Sequence, residues 1–267
     1  PFCTHLRKKK HIKTLSLKVE ENSIFYNCWH CSQDGAIKIK HDNFKLIRRE
    51  PLSQSIEKKW NDIDDNVVSY LKTRGISKET AINSGLKSTK QFISGTNKEE
   101  NCIVFPYFNQ GKMEYAKLRS FPQKGFSSHG SALNFYNIDS IDEKDWVIIC
   151  EGEIDCLSFK EIGLKQVISI PHGAVMKVTD GKIDPQEDTK FRFIWNAKSQ
   201  LDKCNKIILA LDNDKSGQAM AEEIARRVGK DKCWKIEYPD GCKDANEVLT
   251  KFGVEKLDEI STRPIPY

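Results

Sequence analysis

Two apolar runs that end in acidic residues dominate the hydrophobic pattern of the chain. Residues 147–150 are apolar and rich in β-branched side chains, and they lead into Glu151-Gly152-Glu153-Ile154-Asp155. Residues 206–211 repeat this pattern and lead into Asp212-Asn213-Asp214. Runs of this length are too short for a helix and predict buried strands. Each acidic group is therefore expected directly after a strand.

An apolar-periodic segment follows each acidic group. Residues 156–162 and 218–228 have the spacing of helices, and Gly163 and Gly229 are their expected ends. Strands that alternate with helices are typical of an α/β fold with a parallel sheet. Such sheets bind their ligands at the carboxyl ends of the strands, where the acidic residues are expected to lie.

Five carboxylates share this edge of the sheet if the two strands are neighbours. They belong to Glu151, Glu153, Asp155, Asp212 and Asp214. Such a cluster repels itself unless cations neutralise it, and hard oxygen ligands favour Mg2+ or Mn2+. Asp212 and Asp214 are two positions apart, so their side chains point the same way if the strand continues through them.

Residues 1–41 predict a small β module held together by zinc. Short alternating segments lead to Cys28-Trp29-His30-Cys31, and Cys3 precedes them at the spacing of a second knuckle. A β module of this size lacks a core and needs a metal, which predicts a zinc ribbon with Cys3, Cys28 and Cys31 as ligands. The fourth ligand is either a cysteine upstream of the numbered chain, which the knuckle spacing favours, or one of the histidines His5 and His11.

A linker and a mixed subdomain are expected next. Residues 42–64 are polar, without an apolar period, and predict the linker. Residues 65–144 are predicted to form the N-terminal subdomain of the core. Helical spacing begins at Asp65, and Ser77 is expected to cap a second short helix. Residues 109–111 are the expected turn of a β hairpin.

The second strand of this hairpin carries a basic face. Tyr115, Lys117 and Arg119 alternate with smaller or apolar residues, so they share one side of the strand. With Lys124 just beyond the strand, this face is suited to holding phosphates. A solvated strand face that binds no ligand has the same pattern, so the basic residues alone do not decide between the two.

Residues 145–255 contain both acidic groups and are the predicted catalytic domain. A strand at 166–170 leads to His172, which either contacts substrate or caps its loop. Asp244 lies at the expected start of a further helix, where an acid is favoured by capping. The last residues, 256–267, end in two prolines and predict an extended linker.

The composition agrees with a globular protein. The chain has 267 residues, of which 30% are charged and 38% hydrophobic, and its net charge is +5. No apolar run approaches the ~20 residues of a membrane span, and the basic start of the chain lacks the apolar core of a signal peptide. Nine cysteines without a secretion signal favour a reducing cytosol, so we expect a cytoplasmic protein. Five of them are predicted core thiols: Cys102, Cys150, Cys156, Cys204 and Cys233.

The two acidic groups also carry a resemblance to a known family. Glu-Gly-Glu-x-Asp after one strand and Asp-x-Asp-x-x-Gly after another resemble the two signatures of the TOPRIM fold, over roughly residues 145–250. That fold is shared by primases, topoisomerases and some nucleases. Residues 70–80, 117–126 and 243–247 are similar to phrases of phage-type bifunctional primase–helicases and their Twinkle-like relatives. The chain therefore resembles the primase part of such a protein, with its zinc ribbon.

This resemblance implies an RNA primase that copies single-stranded DNA from ribonucleoside triphosphates, with Mg2+ (or Mn2+) and Zn2+. Glu151, Asp212 and Asp214 are then the catalytic residues and magnesium ligands, and Glu153 and Asp155 orient ligands or waters around them. The residues expected to contact nucleotide or nucleic acid are Lys117, Arg119, Lys124, Glu153, Asp155, His172 and Asp244.

Partners and alternatives also follow from the resemblance. The chain has no Gly-x-x-x-x-Gly-Lys-Ser/Thr loop, so a hexameric helicase domain is expected to follow it in a longer protein, in a phage-infected bacterial cytosol. One alternative is a TOPRIM nuclease that uses the same acids. Another is a single-stranded-DNA-binding module of a replicative helicase that has no catalytic activity.

Overall fold

The structure, a computed structural model, describes residues 15–20, 23–28, 34–38, 59–142, 145–181 and 183–267. The described chain divides into two units. The first contains an antiparallel sheet of three strands in the order β1 (Leu15–Glu20), β2 (Ser23–Cys28) and β3 (Asp34–Lys38). The predicted zinc ligands Cys3 and Cys31 and the candidates His5 and His11 lie outside the described residues. Cys28 belongs to β2, but its side chain is outside the description.

The second unit begins with a mixed segment that builds a five-stranded sheet. Its elements in chain order are β4 (Asn61–Asp62), α1 (Asp65–Thr73), α2 (Lys78–Asn83), β5 (Lys87–Ile93), β6 (Lys98–Asn109), β7 (Lys112–Ser120) and β8 (Phe126–Gly130). The strands lie side by side in that order, and the pairs β4–β5, β6–β7 and β7–β8 are antiparallel. Asn61 and Asp62, which the sequence places in the linker, form the edge strand of this sheet.

Helix caps and a tight turn explain this segment. Asp64 accepts a hydrogen bond from the backbone N–H of Val67 at 2.9 Å, and Ser77 caps α2, as expected. The hairpin between β6 and β7 turns at Gln110 and Gly111, whose φ angles are +52° and +73°. Two consecutive positive φ values match the twist of the paired strands, so this turn fixes their register.

The rest of the second unit builds a second five-stranded sheet. Its elements are β9 (Trp146–Cys150), α3 (Glu153–Glu161), β10 (Val167–Ser169), α4 (Arg192–Asn196), α5 (Lys198–Leu201), β11 (Lys206–Ala210), α6 (Lys215–Val228), β12 (Cys233–Lys235), α7 (Ala245–Phe252), α8 (Val254–Thr262) and β13 (Ile265–Pro266). The strand order is β10-β9-β11-β12-β13. All pairs are parallel except β12–β13. The predicted α/β class is confirmed.

The two crossover helices pack on opposite faces of this sheet. Ile148 and Ile208 share one apolar core with α3, and Val147 and Ile207 share another with α6. The connection after β9 leads outward to β10, and the connection after β11 leads the other way to β12. The strand order therefore reverses between β9 and β11, which is the point where open α/β sheets bind ligands.

The helices after the acidic groups begin earlier than predicted. α3 begins at Glu153 because Asp155 reaches back and accepts a hydrogen bond from the Gly152 N–H at 3.2 Å. α6 begins at Lys215 because Asp214 caps it, accepting from the N–H of Gly217 at 2.9 Å. The condition for Asp212 and Asp214 to point the same way is not met, because β11 ends at Ala210 and Asp214 serves as a helix cap.

Residues 189–201 form a 3-10 turn, α4 and α5 in succession. One other segment differs from its predicted form. Residues 256–267, expected as an extended linker, form most of α8 and β13. Leu257 is fully buried in the core, and Ile265 pairs with Lys235 of β12. Apolar packing and an open sheet edge therefore hold a segment whose prolines alone favour an extended chain.

The five predicted core cysteines are buried and free, and Cys242 is a further buried thiol. Of the helices in the described residues, none has the length and apolar character needed to span a membrane.

Gly217 tests how tightly α6 packs against the loop after β11. A Cβ atom at this position would lie 2.0 Å from the carbonyl oxygen of Asp212. We expect Gly217→Ala to lower the free energy of unfolding by roughly 1–3 kcal/mol, because overpacking forces the helix or the loop to move. Chemical denaturation measures this change.

Gly95→Ala is the matched control, because a Cβ there would meet no heavy atom within 4 Å. Equal stability of the two variants would show that the Asp212 loop yields without cost.

Candidate active site at the carboxyl ends of two parallel strands

The register of β9 and β11 brings the two acidic groups together. Cys150 is paired with Ala210 at the ends of the strands, so Glu151 and Asp212 leave the sheet side by side. A cleft of about 680 Å3 opens here, and the basic strand β7 and the start of β8 form its other wall. Of the three acids predicted to converge, Glu151 and Asp212 line this cleft, whereas Asp214 is not among its lining residues.

Glu151 lies at the centre of the cleft and lacks a full set of partners. Its Oε2 atom is buried without a hydrogen-bond partner. Burial, followed by the charges of Asp212 and Asp214, raises the pKa of Glu151 to about 7. The Asp212 and Asp214 carboxylates thus lie near enough to make the charged form of Glu151 unfavourable, which is the electrostatic condition that a cation relieves.

Asp212 and Asp214 have different environments. The Lys243 Nζ lies 2.8 Å from Asp212 Oδ2. Burial nevertheless keeps the pKa of Asp212 above its ordinary value. Asp214 is exposed, and its Oδ1 accepts hydrogen bonds from the N–H groups of Ser216 and Gly217. The N–H of Gly217 and the hydroxyl of Ser216 hold the pKa of Asp214 below its ordinary value.

Glu153 is buried and faces the basic wall. Its Oε1 atom lies 2.8 Å from Lys117 Nζ and also accepts a hydrogen bond from the Tyr107 hydroxyl. Lys117 belongs to β7 and Glu153 to the first turn of α3. This ion pair therefore connects the two sheets across the cleft and fixes the lysine near the acidic group.

Asp155 connects the turn after β9 with the start of α7. It accepts hydrogen bonds from the N–H groups of Gly152 and Asn246, each at 3.2 Å. Burial, followed by the charges of Asp244 and Asp212, raises the pKa of Asp155 to about 8. Asp244 caps α7 by accepting from the Glu247 N–H at 2.7 Å, as the sequence predicts. Asp155 thus holds the start of α7 beside the turn that carries Glu151.

The basic wall combines predicted and unpredicted residues. Lys117, Arg119 and Lys124 line the cleft, and the ring of Phe126 lies 5.3 Å from Lys117 Nζ. Burial, followed by the charges of its basic neighbours, lowers the pKa of Lys124. Such a set of cations in one wall favours an anionic ligand.

Two guanidinium groups in the wall have unused donors. The Nε atoms of Arg119 and Arg74 are buried without a hydrogen-bond partner. His172 also lines the cleft and is exposed, next to Gly173. Since an orphaned buried donor is costly, a phosphate that accepts from either arginine is favoured here.

Sequence patterns missed several residues of this cleft. Arg74 follows α1, and no sequence pattern assigns it to the site. Its carbonyl accepts a hydrogen bond from the Asn246 side chain at 2.7 Å, and its side chain lines the cleft. Lys243 lies next to the predicted cap Asp244, and Phe126 follows the basic strand. A positive charge beside a predicted acid was the available signal for Lys243. No local signal marks Arg74, because its place depends on α7.

The donor set fits a divalent cation, although the acids are not arranged as a finished metal centre. Carboxylate oxygens are the ligands that Mg2+ and Mn2+ prefer, and the orphaned Glu151 Oε2 is such an oxygen. Within the described ranges, no three His, Cys, Asp or Glu side chains lie close enough to hold a metal. One Asp214 oxygen is used in the helix cap, and Lys243 occupies one oxygen of Asp212.

Comparisons with known proteins agree with this geometry. A family model described as Toprim-like matches residues 148–249, which contain both acidic groups. The chloroplastic/mitochondrial Twinkle homolog protein of Arabidopsis thaliana is 33% identical over 270 residues, covering 96% of this chain and 37% of that protein. The primase homolog protein of the same plant is 31% identical over 252 residues, covering 90% of this chain and 73% of that protein.

A solved structure extends the likeness to the fold. The primase fragment of the bacteriophage T7 primase–helicase superimposes with a TM-score of 0.59 at 22% identity, covering 91% of this chain and 95% of that fragment.

The acidic sheet edge that faces the basic antiparallel sheet lies within a Toprim-like segment. The chain belongs to the family of the primase homologues and has the fold of the primase fragment of a phage primase–helicase. It spans 37% of the length of the Twinkle homolog.

The raised pKa of Glu151 predicts that its charge destabilises the protein when no divalent cation is added. The carboxyl has an ordinary pKa of 4.5 when unfolded and about 7 when folded. Its protonated form is therefore favoured in the fold, and stability falls as the pH rises through this window. We expect Glu151→Gln to raise the free energy of unfolding at pH 8 by about 1–2 kcal/mol, a value reduced for solvent screening.

Thermal unfolding at several pH values, without added divalent cations, measures this effect. The gain should vanish near pH 4.5. Glu187→Gln, at an exposed position, is the control and should change nothing. A Glu151 variant that is no more stable than the parent at pH 8 would contradict the electrostatic account of the site.

Proposed function

We propose that this chain is the catalytic part of a DNA primase that synthesises short RNA primers on single-stranded DNA. The observation that carries the proposal is the cleft itself, in which acids after β9 and β11 face cations from β7. The name of one plant relative, the primase homolog protein, supports the primase class. Joining two nucleotides requires neutralising a triphosphate and activating a hydroxyl, and the two walls are suited to these two tasks.

The acidic wall would serve the reacting atoms. A bound divalent cation supplies charge stabilisation for the attacking and leaving oxygens of nucleotidyl transfer. We assign Asp212, Asp214 and Glu151 as the residues that would hold it. Alternatively, Glu151 accepts the proton of the attacking 3′-hydroxyl, because the cleft without a metal raises its pKa to about 7, near the working pH. The hydroxyl oxygen bonds to the α-phosphate of the second nucleotide, and pyrophosphate leaves.

The basic wall would bind the substrate phosphates. Lys117, Arg119 and Lys124 were expected in this role, and Arg74 joins them because its Nε atom is unpaired in the same cleft. Glu153 would act as a positioning residue, because it holds the Lys117 ammonium at 2.8 Å. His172 and Asp244 line the cleft, so we keep them as residues that contact nucleotide or nucleic acid.

A helicase domain remains part of the proposal as the partner of this chain. The alignment with this chain covers 37% of the Twinkle homolog, so that protein extends well beyond the aligned part. We propose that a hexameric helicase brings single-stranded DNA to the cleft. A reducing compartment such as the cytosol is compatible with the six buried, free cysteines of the described chain.

Asp212 tests the primase proposal most directly. The chain is incubated with ribonucleoside triphosphates, Mg2+ and single-stranded oligonucleotides, and the products are separated on a denaturing gel. We expect short RNA products. Asp212→Asn should reduce their yield by at least about 100-fold, the upper end of the loss seen when groups that merely support metal ligands are removed.

Asp202→Asn is the matched control, because Asp202 is a surface acid paired with Lys198. Shortened DNA in place of RNA would identify a nuclease. Unchanged nucleic acid together with retained binding of the oligonucleotide would identify a binding module.

We further propose that the first unit holds one zinc ion through Cys3, Cys28 and Cys31, on the basis of their spacing. Purified protein should contain about one equivalent of zinc by elemental analysis. Cys28→Ser should lose it, whereas Cys204→Ser should keep it because Cys204 is a buried thiol of the second unit. Protein without zinc would overturn this assignment.

A further inference from the structure

Lys243 has a fixed backbone and a side chain that reaches into the acidic edge. The Asn213 N–H donates to the Lys243 carbonyl at 2.6 Å, so the backbone of Lys243 is bound to the loop after β11. The Lys243 Nζ lies 2.8 Å from Asp212 Oδ2 and 3.6 Å from Asp244 Oδ2. About half of the lysine side chain is exposed, at 52%, whereas Asp212 is only 12% exposed. The ammonium can therefore leave without unfolding anything.

The Lys243 ammonium lies where the surrounding carboxylates require a positive charge. Besides burial, the charges of Asp244 and Asp214 raise the pKa of Asp212, and those of Asp212 and Asp214 raise the pKa of Glu151. Without a divalent cation, Lys243 supplies a positive charge in direct contact with Asp212. A divalent cation that used Asp212 Oδ2 would need the same oxygen, and two cations at one oxygen repel each other.

We propose that Lys243 is a built-in counter-ion that competes with the divalent cation for Asp212. The lysine stabilises the acidic edge while no metal is bound, and the arriving cation displaces it. This inference rests on the proposed function, because it takes Asp212 as a metal ligand.

Manganese binding tests the competition without nucleotide or DNA. The fraction of free Mn2+ is followed by electron paramagnetic resonance during titration of the full chain. We expect Lys243→Met, which keeps the apolar stem and removes the charge, to lower the Kd for Mn2+ about fivefold, or about 1 kcal/mol. Lys243→Arg, which keeps a cation, should remain close to the parent.

Lys124→Met is the matched control for general electrostatics. Lys124 lines the same cleft and senses the charge of Asp212, but its ammonium is not within ion-pair distance of Asp212. Its loss should change the Kd clearly less than the loss of Lys243. Equal shifts in the two variants would overturn direct competition, and so would an unchanged Kd in Lys243→Met.

Thermal unfolding gives a second readout. Without metal, Lys243→Met should unfold at a lower temperature than the parent, because Asp212 loses its partner. Added Mn2+ should raise the Tm of this variant more than that of the parent, because an ion that binds the folded protein more tightly stabilises it more. The same Mn2+-induced shift in both proteins would contradict the proposal.

Asp212→Asn separates this inference from the proposed function. If it abolishes Mn2+ binding while Lys243→Met leaves the Kd unchanged, only the competition fails. If the parent and all variants bind no Mn2+, the metal assignment of Asp212 fails, and the competition fails with it.

Discussion

The candidate site depends on two parallel strands that end side by side. β9 and β11 are paired from Trp146 and Lys206 to Cys150 and Ala210, and apolar cores on both faces hold them in that register. Whatever follows the last pair must share one edge of the sheet. Here carboxylates follow both strands, so like charges meet in a partly buried place. Burial first, and then the neighbouring carboxylates, raise the pKa of Glu151 and of Asp155.

Each acid is accommodated by a different partner, and these partners give the acids different properties. Asp214 faces the N–H groups at the start of α6, Glu153 faces Lys117, and Asp212 faces Lys243. Glu151 alone of these has a buried oxygen without a hydrogen bond. The pKa values of Glu151 and Asp212 are therefore raised, whereas that of Asp214 is lowered. A divalent cation would find its least satisfied ligand at Glu151.

The opposite wall of the cleft comes from a separate sheet, which supplies the positive charge. Lys117 and Arg119 share the face of β7 that looks toward the acids, while Ala116 and Leu118 are buried on the other face. The ion pair of Lys117 with Glu153 connects the two sheets within one unit. Arg74 reaches the same cleft from the end of α1, where the Asn246 side chain of α7 donates a hydrogen bond to the Arg74 carbonyl. The cleft is thus built from segments far apart in the sequence.

The sequence by itself determined the alternation of strands and helices, the capping of α7 by Asp244 and the basic face of β7. These features depend on local periodicity and short-range hydrogen bonds, which a single chain segment carries. The cap that Asp214 makes on α6 is local in the same way. Only the tertiary structure decided that Lys243 meets Asp212 and that Arg74 enters the cleft. Residues 256–267 likewise form most of α8 and β13, because Leu257 packs in the core and Ile265 pairs with the open edge of β12. Such outcomes depend on the distance between groups that the sequence separates, and no local pattern encodes that distance.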